Sequence, residues 1–157
     1  KTIGHLEQSI FARNILSEKK GPPPEVNLFN EKNNGLTTLK LINEKLIESC
    51  HDVSLGGIIV AISKMCLKGK KGIKINQLKG LINKFEYFFG EDQARYLVEI
   101  QKENLPKVDK ILKENSVHYD ELGTVIDENI EFSNEIKLSI DDLEKTYKNW
   151  LRKYMIN

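Results

Sequence analysis

His51-Asp52-Val53-Ser54-Leu55-Gly56-Gly57-Ile58 stands where a β-type run, Ile47 to Val53, gives way to an apolar run, Ile58 to Leu67. The first run reads as a buried strand and the second as a helix that is apolar nearly all round, and so covered by protein on both sides. Two adjacent glycines at the joint let another chain or a ligand approach the backbone closely, because neither carries a Cβ. The leading N–H groups of the following helix, at the positive end of its dipole, would face the same turn, which suits a phosphate. His51, Asp52 and Ser54 add an imidazole, a carboxylate and a hydroxyl at that strand end. A Gly-Gly at a tight strand-to-helix turn also serves packing alone, and both readings stay open.

Upstream, Leu6, Ile10, Phe11 and Ile15 predict a helix over Leu6 to Leu16, and Ser17 to Glu25 with Gly21 and Pro22-Pro23-Pro24 predicts a surface loop. Asn27 is an N-cap candidate for a helix to Asn43 with Leu36, Leu39 and Ile42 expected inward. Downstream, Gly69 ends the central helix, and Gly72 to Leu78 alternates as a half-exposed strand. A helix is expected over Leu81 to Phe89, closed by Gly90, then a strand over Arg95 to Ile100 and a helix over Asn104 to Asn115. Val117 to Ile126 reads as a strand bent at Gly123, followed by a hairpin-like return through Ile130, Phe132, Ile136 and Leu138. Ser139 to Asp142 has the form of a capping box, and Leu143, Tyr147, Trp150, Leu151 and Tyr154 follow at helical spacing as a core or docking face. Strands and helices mixed in this order imply an α+β chain with a single sheet covered by helices.

The 157 residues suit about one domain, and 39% apolar residues can fill one core. A net charge of +1 offers no basic field for nucleic acid. Only three of the 24 basic residues are arginine (Arg13, Arg95, Arg152), which sets aside an anion site built on clustered guanidinium forks. Cys50 and Cys66 lack metal-ligand or CxxC spacing and read as buried, reduced thiols of a cytoplasmic protein. The longest apolar run, Gly56 to Ile62, is far short of the ~20 residues of a membrane span. A start at Lys1 without Met suggests a fragment or processed chain.

A second polar group, Gly90-Glu91-Asp92-Gln93, precedes the Arg95 strand. If the two strands are neighbours, carboxylates and amides from both groups line one sheet edge, a common place for ligands. An exposed acidic turn is the plainer alternative. The lysines 68, 70, 71 and 74 read as a solvated turn. No G-x-S-x-G elbow, P-loop or zinc constellation occurs.

His51-Asp52-Val53-Ser54-Leu55-Gly56-Gly57-Ile58 resembles the HDVSDGGL motif of phosphoribosylformylglycinamidine synthase, and Phe88 to Val98 resembles its F-G-E-(S/D)-Q-x-R-Y-L-V segment. Ile3-Gly4-His5-Leu6, Gln8-Ser9, the three prolines, Val26, Glu31-Lys32 and Asn34 resemble the opening of that family's C-terminal domain. Leu122 to Val125 and Leu138 to Leu143 resemble its end, so nearly all of the chain is covered. The resemblance implies the C-terminal-domain fold of aminoimidazole ribonucleotide synthetase-like proteins. It also implies one C-terminal-type domain over residues 1–157, the last of a longer synthetase.

The activity implied is that of a ligase of purine synthesis, which turns the amide of formylglycinamide ribonucleotide into an amidine with ATP, magnesium and ammonia from glutamine. N-terminal-type domains of the same synthetase are the implied partners, with glutaminase and small accessory subunits where the complex is multi-subunit. No nucleic acid or membrane partner is expected. Because the catalytic His and most ATP and magnesium ligands of the family lie on N-terminal-type domains, no residue of this chain is expected to be catalytic or to bind metal, and the chain alone is expected to be inactive. His51, Asp52, Ser54, Gly56, Gly57, Glu91 and Gln93 are the expected ligand- or phosphate-facing residues. Leu55 stands where the motif usually has Asp, which removes a carboxylate and weakens a metal or phosphate role at the turn, and Glu7 stands where Gly is common near the start. The substrate-binding motif is attributed in the family to an earlier copy of this domain, so a structural or auxiliary-nucleotide role is expected here. The alternatives are a non-catalytic scaffold domain or another member of the superfamily, such as selenophosphate synthase.

Overall fold

A computed structural model describes residues 2–78 and 82–156, with the backbone alone at 151 and 152. The chain divides into two units, Lys1–Ile62 with Gly80–Asp120, and Ser63–Lys79 with Glu121–Asn157.

The first unit holds helices α1 (Ile10–Asn14) and α2 (Leu28–Asn43), strand β1 (Ser49–Asp52) and the opening turns of α3 (Gly57–Gly69). It also holds α4 (Lys84–Phe89), strand β3 (Tyr96–Glu99), a 3₁₀ turn at Lys102–Asn104 and α5 (Leu105–Glu114). Side-chain caps set the helix starts. Asn27 Oδ1 accepts from the Asn30 N–H at 3.0 Å, and Ser9 Oγ accepts from the Ala12 N–H at 3.0 Å. Asn83 and Glu86 close a reciprocal capping box on α4. β1 and β3 pair antiparallel, with Ser49 opposite Glu99 and Asp52 opposite Tyr96. Leu41, Leu46, Val108, Ile111 and Leu112 form the core of this unit, with Ile47, Ile100 and Val117 packed against it.

The second unit holds the rest of α3, then β2 (Gly72–Ile75), β4 (Gly123–Ile126), β5 (Asn129–Phe132), β6 (Ile136–Ser139) and α6 (Ile140–Ile156). Its sheet runs β4-β2-β5-β6 and is mixed: β2 and β5 are parallel, while β2–β4 and β5–β6 are antiparallel. Ile75, Ile130, Phe132 and Ile140 are buried in this unit. Glu144 on α6 bonds Lys148 and Lys70, which hold its carboxyl down at about 2. The expected solvated lysine turn is thus exposed and partly ion-paired, with Lys71 at 2.7 Å from Asp127.

The mixed α+β class and a mixed sheet with helices are as the sequence suggests. The strands, however, fall into two sheets rather than one, because β1 pairs only with β3 and no ladder joins them to β2 among the described residues. α1 is five residues long, since Ser9 caps it and Gln8 has left-handed backbone at φ 60°. Residues 117–122 are not strand; β4 starts at Gly123, where Asn76 bonds the Leu122 carbonyl just beyond the β2 ladder. The expected start of α4 at Leu81 lies outside the described residues.

The facing of α2 is a correction. Leu36, Leu39 and Ile42 are 56%, 50% and 47% exposed, whereas Thr37 and Leu41 are buried. Asn33, which donates to the Asn115 carbonyl at 2.8 Å, and Asn34, which donates to the Ala94 carbonyl at 2.9 Å, tie down the polar side of the helix, so its apolar stripe faces outward. Tyr147, Trp150 and Tyr154 of α6 are exposed as well, which favours the docking-face reading; the Leu151 side chain lies outside the described residues. Cys66 is buried as expected, but Cys50 is exposed on β1.

Leu41→Ala is expected to cost about 2–5 kcal/mol in denaturant unfolding, as core truncations do. Leu36→Ala is expected to change stability by less than about 0.5 kcal/mol. Equal losses from the two would mean that the outward stripe is in fact packed.

Candidate functional site

The Gly90-Glu91-Asp92-Gln93 segment joins α4 to β3, and its two carboxylates point inward: Glu91 is 8% and Asp92 5% exposed. A buried carboxylate needs several strong donors to offset its lost hydration. Asp92 has three. Its Oδ2 accepts from the N–H groups of Ile3 at 2.8 Å and Gly4 at 3.0 Å, and its Oδ1 from that of His5 at 2.8 Å. Glu91 Oε1 accepts from the Ile10 N–H and the Gly56 N–H, each at 2.8 Å. The Glu91 N–H in turn donates to the His5 carbonyl at 2.9 Å.

Arg95 sits behind this pair with its side chain 8% exposed. Its Nη2 donates to the Gly90 carbonyl at 2.6 Å and its Nε to the Asp92 carbonyl at 3.1 Å. Nη1 has no hydrogen-bond acceptor and faces Asp92 Oδ2 at 3.6 Å. Burial pushes the Asp92 carboxyl up, but the Gly4, His5 and Ile3 N–H groups and then Arg95 outweigh it, and the group titrates below the usual carboxylate range. Burial lowers the Arg95 guanidinium, partly offset by Asp92 and Tyr87.

The glycine turn is built for close approach. Ser54 to Gly57 forms a turn closed by the Gly57 N–H to the Ser54 carbonyl at 3.0 Å, with Gly56 at φ 84° in third place, where such a turn favours glycine. A Cβ on Gly57 would lie 2.5 Å from the Phe88 carbonyl oxygen and 2.8 Å from that of Gly90. The end of α4 therefore rests directly on the turn.

The residues singled out from sequence separate into two groups. Glu91, Gly56 and Gly57 are brought together and buried. Asp52, Ser54 and Gln93 are exposed, and His51 is half-buried with its Nδ1 at 2.5 Å from the Asp52 carbonyl oxygen. The expected neighbouring of the two strands holds, and the Val53 N–H to Arg95 carbonyl bond at 2.9 Å extends their register past β1 toward Ser54 and Ala94. The Gly56 N–H is held by Glu91 Oε1. Leu55 is 59% exposed at the outside of the turn. Asp92 was noted from sequence only as half of an acidic pair, and Arg95 is the residue sequence reasoning passed over; an arginine three positions after an acid in a lysine-rich chain was the available signal.

Among the described residues, no three His, Cys, Asp or Glu side chains gather as a cation-binding set. Local burial and then the Asp52 carboxylate push the Cys50 thiol up, keeping it protonated at neutral pH. No helix among the described residues is long and apolar enough to cross a membrane.

The fold and the turn together define an α+β module whose strand-to-helix glycine turn is locked by its own Gly-Glu-Asp segment. Residues 5–133 match the family described as AIR synthase related protein, C-terminal domain, and the chain belongs to that family. Over all 157 residues it is 63% identical to the phosphoribosylformylglycinamidine synthase subunit PurL of Pelagibacter ubique, of which it covers 22%. It is 37% identical to the same subunit of Bartonella bacilliformis over 153 residues, 21% of that protein. The chain thus spans about a fifth of the length of these relatives. A Thermotoga maritima PurL structure complexed with FGAR shares the fold, with a TM-score of 0.70, 22% identity and coverage of 85% of this chain and 24% of that one.

Asp92→Asn is expected to lower stability by about 3 kcal/mol at neutral pH, since one carboxylate oxygen is lost to donors that stay buried. Because folding lowers the Asp92 pKa, its contribution is complete above the unfolded value near 4 and disappears as pH falls below it. Unfolding curves of the wild type and Asp92→Asn should therefore converge on acidification through that window, and a gap that stays constant with pH would contradict the assignment.

Proposed function

We propose that this chain is the last C-terminal-type domain of an ATP-dependent ligase that converts formylglycinamide ribonucleotide to its amidine in purine synthesis, in the cytoplasm. The 63% identity to a PurL subunit along the whole chain is the observation that carries this reading. N-terminal-type domains of the same polypeptide are the proposed partners. The outward apolar stripe of α2, which runs through Leu28, Phe29, Leu36, Leu39 and Ile42, supports a covering partner of that kind. Glutaminase and small accessory subunits are proposed in addition; a Thermotoga maritima structure, PurLQS, is among the fold's neighbours.

ATP is proposed as the energy source of the whole enzyme, with magnesium as its counter-ion. At the glycine turn the Gly56 N–H is already bonded to Glu91, and among the described residues no three His, Cys, Asp or Glu side chains gather to hold magnesium. ATP and magnesium are accordingly assigned to the N-terminal-type domains, and no step of the reaction is routed through this chain. The accessible residues His51, Asp52, Ser54 and Gln93 are proposed to face an auxiliary ligand or the covering domains. A scaffold domain without a reaction is the rival reading, favoured only by the burial of Glu91.

The test is conversion of formylglycinamide ribonucleotide by the intact polypeptide that carries this chain, supplied with ATP, magnesium and ammonia. Turnover by the intact protein and none by the 157-residue chain alone is the expected result. No turnover by the intact protein would favour the scaffold. Gln93→Ala in the active protein should leave turnover within about 3-fold, and a loss of about 100-fold or more would place Gln93 at the reacting centre.

A further inference from the structure

The Gly56 turn has the form of an anion seat, yet the group seated there comes from the chain itself. Glu91 Oε1 takes the Gly56 N–H and the Ile10 N–H at 2.8 Å each, and the side chain is 8% exposed. The inner wall of the turn is the carbonyl oxygens of Phe88 and Gly90, crowded against Gly57. Carbonyl oxygens carry partial negative charge and repel an incoming phosphate. The outer side of the turn is Leu55, an apolar side chain with no group to offer an anion.

We propose that Glu91 is a resident anion and a positioning residue: its carboxylate fills the seat at Gly56 and commits the glycine turn to holding the N-terminal segment instead of a nucleotide phosphate. One oxygen bridges the turn before α3 and the first residue of α1, while the Glu91 backbone holds His5. The glycine pair that would let a ligand approach the backbone is used as an internal clasp. The assignment stands on residues 3–10, 54–57 and 88–95 alone, and holds whichever reaction the intact protein runs.

Removal of the side chain should expose the seat. In the full 157-residue chain, Glu91→Ala is expected to lower the unfolding midpoint by about 5–10 °C, from the loss of two charge-assisted hydrogen bonds. Sodium formate at about 50 mM should restore at least half of that loss, while sodium chloride at equal ionic strength should not, since only the former presents a carboxylate to the vacated N–H groups. Glu91→Gln keeps an acceptor oxygen and should show a smaller loss with no response to formate. In the ¹⁵N-labelled wild type, the Gly56 and Ile10 amide signals should stay fixed on titration with inorganic phosphate to about 50 mM. Movement of those two signals would overturn the proposal, as would a Glu91→Ala midpoint equal to wild type or one that formate leaves unrestored. If Glu91→Ala does not fold, the wild-type phosphate titration decides.

Discussion

Two adjacent carboxylates that accept backbone N–H groups hold the first unit together. Glu91 and Asp92 receive five such groups between them, from Ile3, Gly4, His5, Ile10 and Gly56. A carboxylate leaving water costs several kcal/mol, and each hydrogen bond to a charged acceptor recovers about 1.5–3 kcal/mol. The arrangement is favourable only while all the donors stay in place. The segments bearing them, the N-terminal stretch with the start of α1 and the glycine turn, are therefore bound to one another through the pair. Arg95 completes the arrangement by balancing Asp92 from behind and pinning the Gly90 and Asp92 carbonyls.

This lock changes what the glycine motif means. In a phosphate loop the N–H groups wait for a ligand, and their value lies in being unpaired. Here one is already paired, and the close approach permitted by Gly57 is taken up by the end of α4. A glycine turn of this pattern can serve recognition or cohesion. Which of the two applies depends on the side chain that reaches the turn, and that side chain is 35 positions away in sequence.

Local signals were readable because they act within a few residues. The strand through His51, the helix from the glycine pair, the Asn27 cap and the end of α4 at Gly90 all follow from periodicity, capping and glycine placement. The facing of α2 did not follow. Leu36, Leu39 and Ile42 are spaced as a buried stripe would be, and the spacing is the same whichever partner covers it. Glu91 and Asp92 were visible as an acidic pair before a strand, but the pattern holds no record of which N–H groups they would meet. Their partners lie at residues 3–10 and 56, distances at which sequence periodicity carries nothing. The split into two sheets was hidden for the same reason, since strand pairing is a long-range property and the alternation of elements fits one sheet as well as two.

The two units are interleaved along the chain, each made of two separate segments, with α3 passing from one to the other. No single cut of the polypeptide can release either unit whole. The β5–β6 ladder closes between Phe132 and Ile136, so it costs little loop entropy, whereas β2 must find β5 at a register that joins Ile73 to Ile130. The segment that intervenes carries α4, β3 and α5 of the other unit. The mixed sheet therefore rests on one long-range pairing, β2 with β5, beside the local β5–β6 hairpin, and the long-range pairing is the entropically costlier of the two to close.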